Sequence, residues 1–171
     1  MKNTSKLTRY LTRASVIAAL YTVLTLLSAV FGLSSGVIQL RLSEALCLLP
    51  ILMPEATVGL FVGCLISNLV TGCALWDVIF GSLATLVAAL ITRHIADMRL
   101  PLIIKTLPTI LANAIVVPFV LIYAYGAVGS YILFFVTVAL GEIASAGVFG
   151  TVLFTYVSRS SALRRYLGAK K

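Results

Sequence analysis

The sequence predicts an all-α integral membrane protein: six transmembrane helices, the second of them short, with both termini cytoplasmic. Three observations predict it. Of the 171 residues, 61% are hydrophobic and 11% charged, against about 45–50% and about 25% in a soluble domain. The mean hydropathy is +1.12. The length, divided by a helix of roughly 20 residues plus a loop, allows about six crossings. Residues 1–171 then form a single transmembrane domain, with basic cytoplasmic tails at 1–10 and 159–171. The 13 basic and 5 acidic residues cannot cover a soluble surface. A soluble enzyme, a disordered tail and a nucleic-acid-binding domain are excluded as the main reading.

The elements follow from breaks in the apolar pattern. Lys2, Lys6, Arg9 and Arg13 precede an uncharged run from Ala14 to Leu40. That run exceeds a signal-peptide core of about 7–15 residues, so it is expected as a retained first helix, 11–31. GLSSG, 32–36, breaks it. In 37–43 polar residues alternate with apolar ones, a period of two that predicts partly extended chain. A short apolar segment, 45–53, ends at Pro54. The third helix is expected at 56–70, the fourth at 77–92, the fifth at 101–123 with Pro108 and Pro118 inside it, and the sixth at 131–157.

The basic residues set the orientation. Four lie in 1–13, three in 93–105 and five in 159–171, leaving Arg41 alone. Cytoplasmic loops carry the Lys/Arg excess, so both tails and the 93–105 loop are expected inside. An even number of crossings must then separate residues 13 and 93. The short segment around 42–53 has to cross, although about 12 helical residues rise only roughly 18 Å. Its outer end is expected below the surface, because irregular backbone at membrane depth survives only inside protein or beside a wet cavity.

Few polar residues interrupt the apolar spans, and nearly all fall in the expected outer half. Gln39, Arg41 and Glu44 lie in the first outer loop or at the outer end of the second helix. Asn68 is near the outer end of the third, and Trp76 and Asp77 open the fourth. Asn113 is near mid-membrane in the fifth, which Tyr123 and Tyr125 end. Glu142 is about 12 residues into the sixth, below Tyr131, Phe135 and Val138 on one face. A carboxylate at that depth needs a partner, a proton or a ligand. Together they point to a substrate pocket open to the outside, made of Gln39, Arg41, Glu44, Asn68, Trp76, Asp77, Asn113, Tyr123, Tyr131 and Glu142. Plainer readings stand beside it: an Arg41–Glu44 pair at the interface, an aromatic belt, and Asn68 and Asn113 as helix–helix glue.

Small residues form a second pattern. Gly59, Gly63 and Ser67 in the third helix, and Ala84 and Ala88 in the fourth, suit close helix packing. Ala14 and Ala18 form AxxxA in the first. Cys47, Cys64, Cys73 and His94 have no metal-ligand spacing, so no metal or cofactor is expected. No GxxxxGK[ST] loop is present, so the chain is not expected to be an enzyme and any ATP hydrolysis belongs to another chain. The halves show no obvious repeat of the inverted-transporter kind.

The runs IQLRLSEALCLLPIL (38–52), GLFVGCLISNL (59–69) and WDVIFGSLATLVAAL (76–90) resemble the QueT family, whose members are similar to the substrate-binding (S) components of energy-coupling factor (ECF) transporters. The resemblance covers about residues 10–157. It implies six helices, an outward pocket, and uptake of queuosine precursors, deazaguanine bases carrying a nitrile or aminomethyl group. It also implies partnership with a transmembrane coupling protein and two cytoplasmic ATPases of an ABC-type importer, docked through Ala14 and Ala18. A guanine-like base suits the candidate residues. Its donor edge matches a carboxylate and its flat face matches Trp or Tyr. The alternatives are an S component for a riboflavin- or thiamine-like vitamin, a stand-alone proton-coupled carrier using Glu142, and a purely structural membrane subunit.

Overall fold

Helix α1, Lys2–Val30, begins well before the expected start. No Gly or Pro interrupts 2–10, so the part of the basic tail that the computed structural model describes continues the helix. Residues 2–33 and 39–161 are described. The last basic residues, Arg164, Arg165, Lys170 and Lys171, lie outside them, as do Val37 and Ile38 of the period-two segment.

The described part of that segment meets the expectation of partly extended chain only as far as Arg41. Arg41 is extended, at φ −108° and ψ 105°, but a 3-10 turn, Leu42–Leu46, begins directly after it. No strand occurs among the described residues. The expected single short helix at 45–53 is likewise broken. The 3-10 turn is followed by one α-turn, α2, Leu49–Leu52, which restarts with Pro50 in its first positions, where the missing N–H costs nothing. Ser43, Glu44, Leu46, Cys47 and Leu48 are all buried. Irregular backbone is thus enclosed in protein. The Leu42 N–H donates to Ser28 Oγ at 2.9 Å. At the other end Arg93 Nη1 donates to the carbonyls of Pro50 and Ile51, each at 3.3 Å.

Helices α3, Glu55–Val70, and α4, Leu75–His94, follow. A 3-10 turn, Ile104–Thr106, leads into α5, Leu107–Tyr123, so the helix begins a loop and a turn after the expected start at Pro101. Pro108 takes the first turn of α5 and Pro118 lies inside it. The expected sixth helix is one continuous run with an irregular middle: α6, Tyr131–Glu142, a π-helical segment, Ile143–Phe149, and α7, Gly150–Arg159. The Ser130 hydroxyl caps α6 by accepting from the Leu133 N–H.

Among the described residues four runs are long and apolar enough to cross a membrane: Thr4–Val30, Leu75–His94, Ile104–Tyr123 and Tyr131–Arg159. Leu42–Leu52 and Glu55–Val70 are shorter apolar stretches. The outward faces carry exposed Leu20, Val23 and Leu27 on α1, Leu83 and Val87 on α4, and Ile132, Val136 and Leu140 on α6. The interior instead holds Glu44, Asn68, Asp77, Asn113 and Glu142. Apolar outside and polar inside is the arrangement that lipid, not water, stabilises.

The helices run up and down, so the bundle has two ends. Arg13, Arg93, Lys105 and Arg159 mark one, the basic end. The turns at 31–33, 71–74 and 124–130 mark the other, the chamber end. At the basic end Arg13 pairs with Glu55 at 3.3 Å.

Helix α1 packs along α3 through small residues on both sides. Ala14 and Ala18 are each 6% exposed. They face Gly59 and Gly63: a Cβ on Gly59 would lie 2.8 Å from the Ala14 carbonyl oxygen, and one on Gly63 2.9 Å from that of Ala18. The AxxxA pair is consumed inside the chain. Gly63→Ala is therefore expected to destabilise the bundle by about 1–3 kcal/mol, the usual cost of overpacking. Thermal unfolding in detergent reads this as a lowered midpoint.

Candidate functional site

At the chamber end a cavity of about 500 Å³ opens between α1, α3, α4, α5 and the 39–41 loop. Gln39, Arg41, Asn68, Asp77 and Tyr125 supply its polar groups; Thr25, Thr71 and Cys73 also line it. Below it lies a second space of only about 10 Å³, lined by Gln39, Arg41, Asn113, Val117, Val138 and Glu142. Gln39 and Arg41 line both, so they form a shared wall. The smaller space holds about one water-sized group.

Asp77 sits in the first turn of α4, where the helix dipole favours a carboxylate. Its Oδ2 accepts from the Tyr125 hydroxyl at 3.1 Å and lies 4.0 Å from Arg41 Nη2. Its backbone carbonyl accepts from Asn68 Nδ2 at 3.3 Å. Tyr125 in turn accepts from the Ala74 N–H at 3.0 Å. Burial and the Asp77 carboxylate push the Tyr125 phenol up from its ordinary value, against the lowering effect of that N–H. It therefore stays a neutral donor at neutral pH. Asp77 Oδ1 has no partner.

Glu142 closes α6 immediately before the π-helical segment, a distortion frequent at functional sites. Its Oε1 accepts from Asn113 Nδ2 at 2.9 Å, and its Oε2 has no partner. Glu44 lies within the 3-10 turn and accepts from the Tyr21 hydroxyl. Glu44, Asp77 and Glu142 are 3%, 5% and 6% exposed.

The 39–41 loop reaches this depth because Gly141 lets it. A Cβ built on Gly141 would lie 2.0 Å from the Gln39 carbonyl oxygen and 3.0 Å from its carbon. The absence of a side chain there seats Gln39 and Arg41 over Glu142.

Seven of the ten candidate pocket residues are thus brought together. Gln39, Arg41, Asn68 and Asp77 surround the chamber, Asn113 and Glu142 the small space, and Glu44 is buried nearby against Tyr21. The aromatic candidates stand apart. Trp76 and Tyr123 are exposed and line a separate, nearly apolar groove of about 360 Å³ between α4 and α5. Trp76 stacks on Phe80 at 5.6 Å. Tyr131 packs on Phe119 at 4.7 Å and donates to the Ile115 carbonyl at 3.0 Å. Ala14 and Ala18 are internal packing residues, as described above. Sequence reasoning missed Tyr21 and placed Tyr125 at the end of the fifth helix without including it in the candidate pocket. A phenol in the middle of an apolar helix was the available sign for the first.

The QueT transporter family matches residues 11–159. Over 74 residues the chain is 38% identical to the queuosine precursor transporter QueT of Lactococcus lactis subsp. cremoris (strain MG1363). That stretch spans 43% of this chain and 43% of the relative, less than half of each. No solved structure matches the chain. With 149 of 171 residues inside the family's bounds, the chain belongs to the QueT transporter family.

Proposed function

We propose that this chain is the substrate-binding subunit of an ECF-type ABC importer for queuosine precursors, with the deazaguanine base held in the 500 Å³ chamber. The observation that carries the reading is a chamber lined by Gln39, Arg41, Asn68, Asp77 and Tyr125 at one end of an otherwise apolar bundle. Its volume falls within the usual ligand-site range of about 300–1,000 Å³. Asp77 Oδ1, buried and unpartnered, suits the ring N–H and exocyclic amine of a guanine-like base. Asn68 and Gln39 suit its carbonyl. Groups left unpaired by a wrong ligand give such a site its selectivity.

In this reading the chain crosses the plasma membrane six times. The Leu42–Leu52 segment and α3 complete the four long runs, and the basic end is cytoplasmic. The chamber then opens outward. A transmembrane coupling protein and two ATPases supply the energy, the motif for ATP hydrolysis being absent from this sequence. Because Ala14 and Ala18 are covered by α3, docking through α1 falls to its opposite, exposed face, where Thr8, Thr12, Ser15 and Ala19 lie in one shallow groove. Small residues on that stripe permit close approach of a partner helix.

Calorimetric titration of the detergent-purified protein tests the substrate. Saturable binding of a precursor base, with no heat from guanine or riboflavin, is the expected result; a folded protein that binds riboflavin instead contradicts it. The unpartnered oxygen of Glu142 favours one second reading, a stand-alone proton-coupled carrier. Uptake into proteoliposomes lacking any ATPase distinguishes that reading from the first.

A further inference from the structure

We propose that the groove between α4 and α5 is a phospholipid site: one acyl chain lies in the groove, and the ester and phosphate oxygens meet Trp76 and Tyr123 at its mouth. This goes beyond the precursor-binding reading and does not depend on it.

The first argument is polarity. Trp76 lies in the first turn of α4 and Tyr123 ends α5, so both stand at the chamber end. Phe80 and Phe119 lie one turn deeper on the same two helices. Among the described side chains that line the groove, the Trp76 indole N–H and the Tyr123 phenol O–H are the only polar groups. The two residues are 59% and 81% exposed. Hydrogen-bonding groups at one end with hydrocarbon below them match the polarity of a membrane lipid, and Trp and Tyr favour that level of a bilayer. A deazaguanine base in the deeper part would leave its own donors unpaired.

The second argument is shape. The rings are held in pairs: Trp76 stacks on Phe80 at 5.6 Å along α4, and Phe119 on Tyr123 at 6.3 Å along α5. Tyr131 braces the second pair, 4.7 Å from Phe119, and is itself tied by its hydrogen bond to the Ile115 carbonyl. Val116, Val120 and Ala124, four residues apart on α5, add only short aliphatic side chains. The space between is about 360 Å³. One turn of an α-helix, about 5.4 Å long and about 10 Å across, would overfill it. A single acyl chain is narrow enough to enter, so the groove fits a lipid and not a partner helix.

The third argument is position. Helices α4 and α5 expose Phe80, Leu83, Ile115 and Phe119, so the groove opens on the side that lipid covers. The chamber lies behind it, and Val120 lines both. A chain in the groove therefore packs on the back of the chamber wall.

Trp76 is the single tryptophan of the chain, so its fluorescence reads this groove alone. The test titrates the delipidated full-length chain in detergent with phosphatidylcholine brominated on one acyl chain, since bromine quenches an indole only at contact. The control is Trp76→Phe combined with Ile132→Trp, which moves the indole to an exposed position near the start of α6, at the same end of the bundle. Lipid that merely coats the protein reaches both indoles alike. A site predicts saturable quenching of Trp76, half complete at a lipid concentration at least about tenfold below that for the control. Ala124→Phe, which puts a ring into the groove, is expected to bring Trp76 to within about threefold of the control. Equal half-quenching concentrations for the two indoles overturn the proposal, as does an Ala124→Phe protein that behaves as the wild type. So does a Trp76 that lipid fails to quench while the control is quenched; light scattering that then shows a dimer would name a second copy as the occupant. Should the control not fold, the shift between the wild type and Ala124→Phe decides; should Ala124→Phe not fold, the wild type against the control decides.

Discussion

Replacing Gly141 with alanine is expected to abolish ligand binding and lower the unfolding midpoint in one step. The added methyl would meet the Gln39 backbone, its carbonyl oxygen 2.0 Å and its carbon 3.0 Å away. Backbone cannot rotate aside as a flexible side chain does. The 39–41 loop must lift, taking Gln39 and Arg41 from the wall they share between the two spaces. Overpacking of this kind costs about 1–3 kcal/mol, and displacement of two lining residues is expected to weaken binding by at least about 100-fold, roughly 2.7 kcal/mol. Gly147 is the control, five residues from Glu142 in the π-helical segment. A Cβ there finds nothing nearer than 3.7 Å. Gly147→Ala is expected to bind normally and unfold near the wild-type midpoint. Thermal unfolding and calorimetry on the two variants check both statements. Equal behaviour of the two would mean that the loop does not depend on the contact at Gly141.

The second large effect is expected at Asp77. Asp77→Asn removes the carboxylate that faces Arg41 at 4.0 Å and accepts from Tyr125 at 3.1 Å. Arg41 is then left inside the bundle with no carboxylate within ion-pair distance. Removing one partner of a buried pair costs about 3–5 kcal/mol. The 4.0 Å separation and the 19% exposure of the Arg41 side chain place the expected loss at the lower end. A double-mutant cycle separates stability from recognition. Arg41→Gln combined with Asp77→Asn is expected to unfold at a higher temperature than Asp77→Asn alone, since no lone charge remains. Ligand binding is expected to stay absent in the double variant, because the carboxylate that meets the base is missing. A double variant no more stable than the single one would show that the pair contributes little.

Helix positions were readable because apolar runs broken by charges and by Gly or Pro leave little choice in a chain this poor in polar residues. The long helices fall close to their expected places. The segment after α1 was harder. Its alternating pattern suggests partly extended chain, and Arg41 is extended, yet the segment turns helical at Leu42, because tertiary contacts such as the Leu42–Ser28 hydrogen bond outweigh a period of two over a few residues. The polar part of the site was legible for the same reason as the helices: Asp77, Asn113 and Glu142 have no soluble surface to occupy. The aromatics were not. Trp and Tyr at helix ends serve equally as ligand platforms and as interfacial belts, and sequence alone does not say which way a ring faces. Ala14 and Ala18 illustrate the same ambiguity. A small-residue stripe announces close approach without naming the partner helix, and here α3 occupies it.

Cys73 offers the most direct test of where the ligand sits. It lines the chamber and is partly exposed, whereas Cys47 and Cys64 are buried. The rate at which a thiol reagent modifies Cys73 reports whether the chamber is filled. With a precursor base at about ten times its Kd, simple occupancy predicts labelling slowed roughly tenfold, and riboflavin at the same concentration is expected to leave the rate unchanged. Labelling of Cys73 at the same rate with and without a base that calorimetry shows to be bound would contradict the account, since the ligand would then lie elsewhere in the bundle.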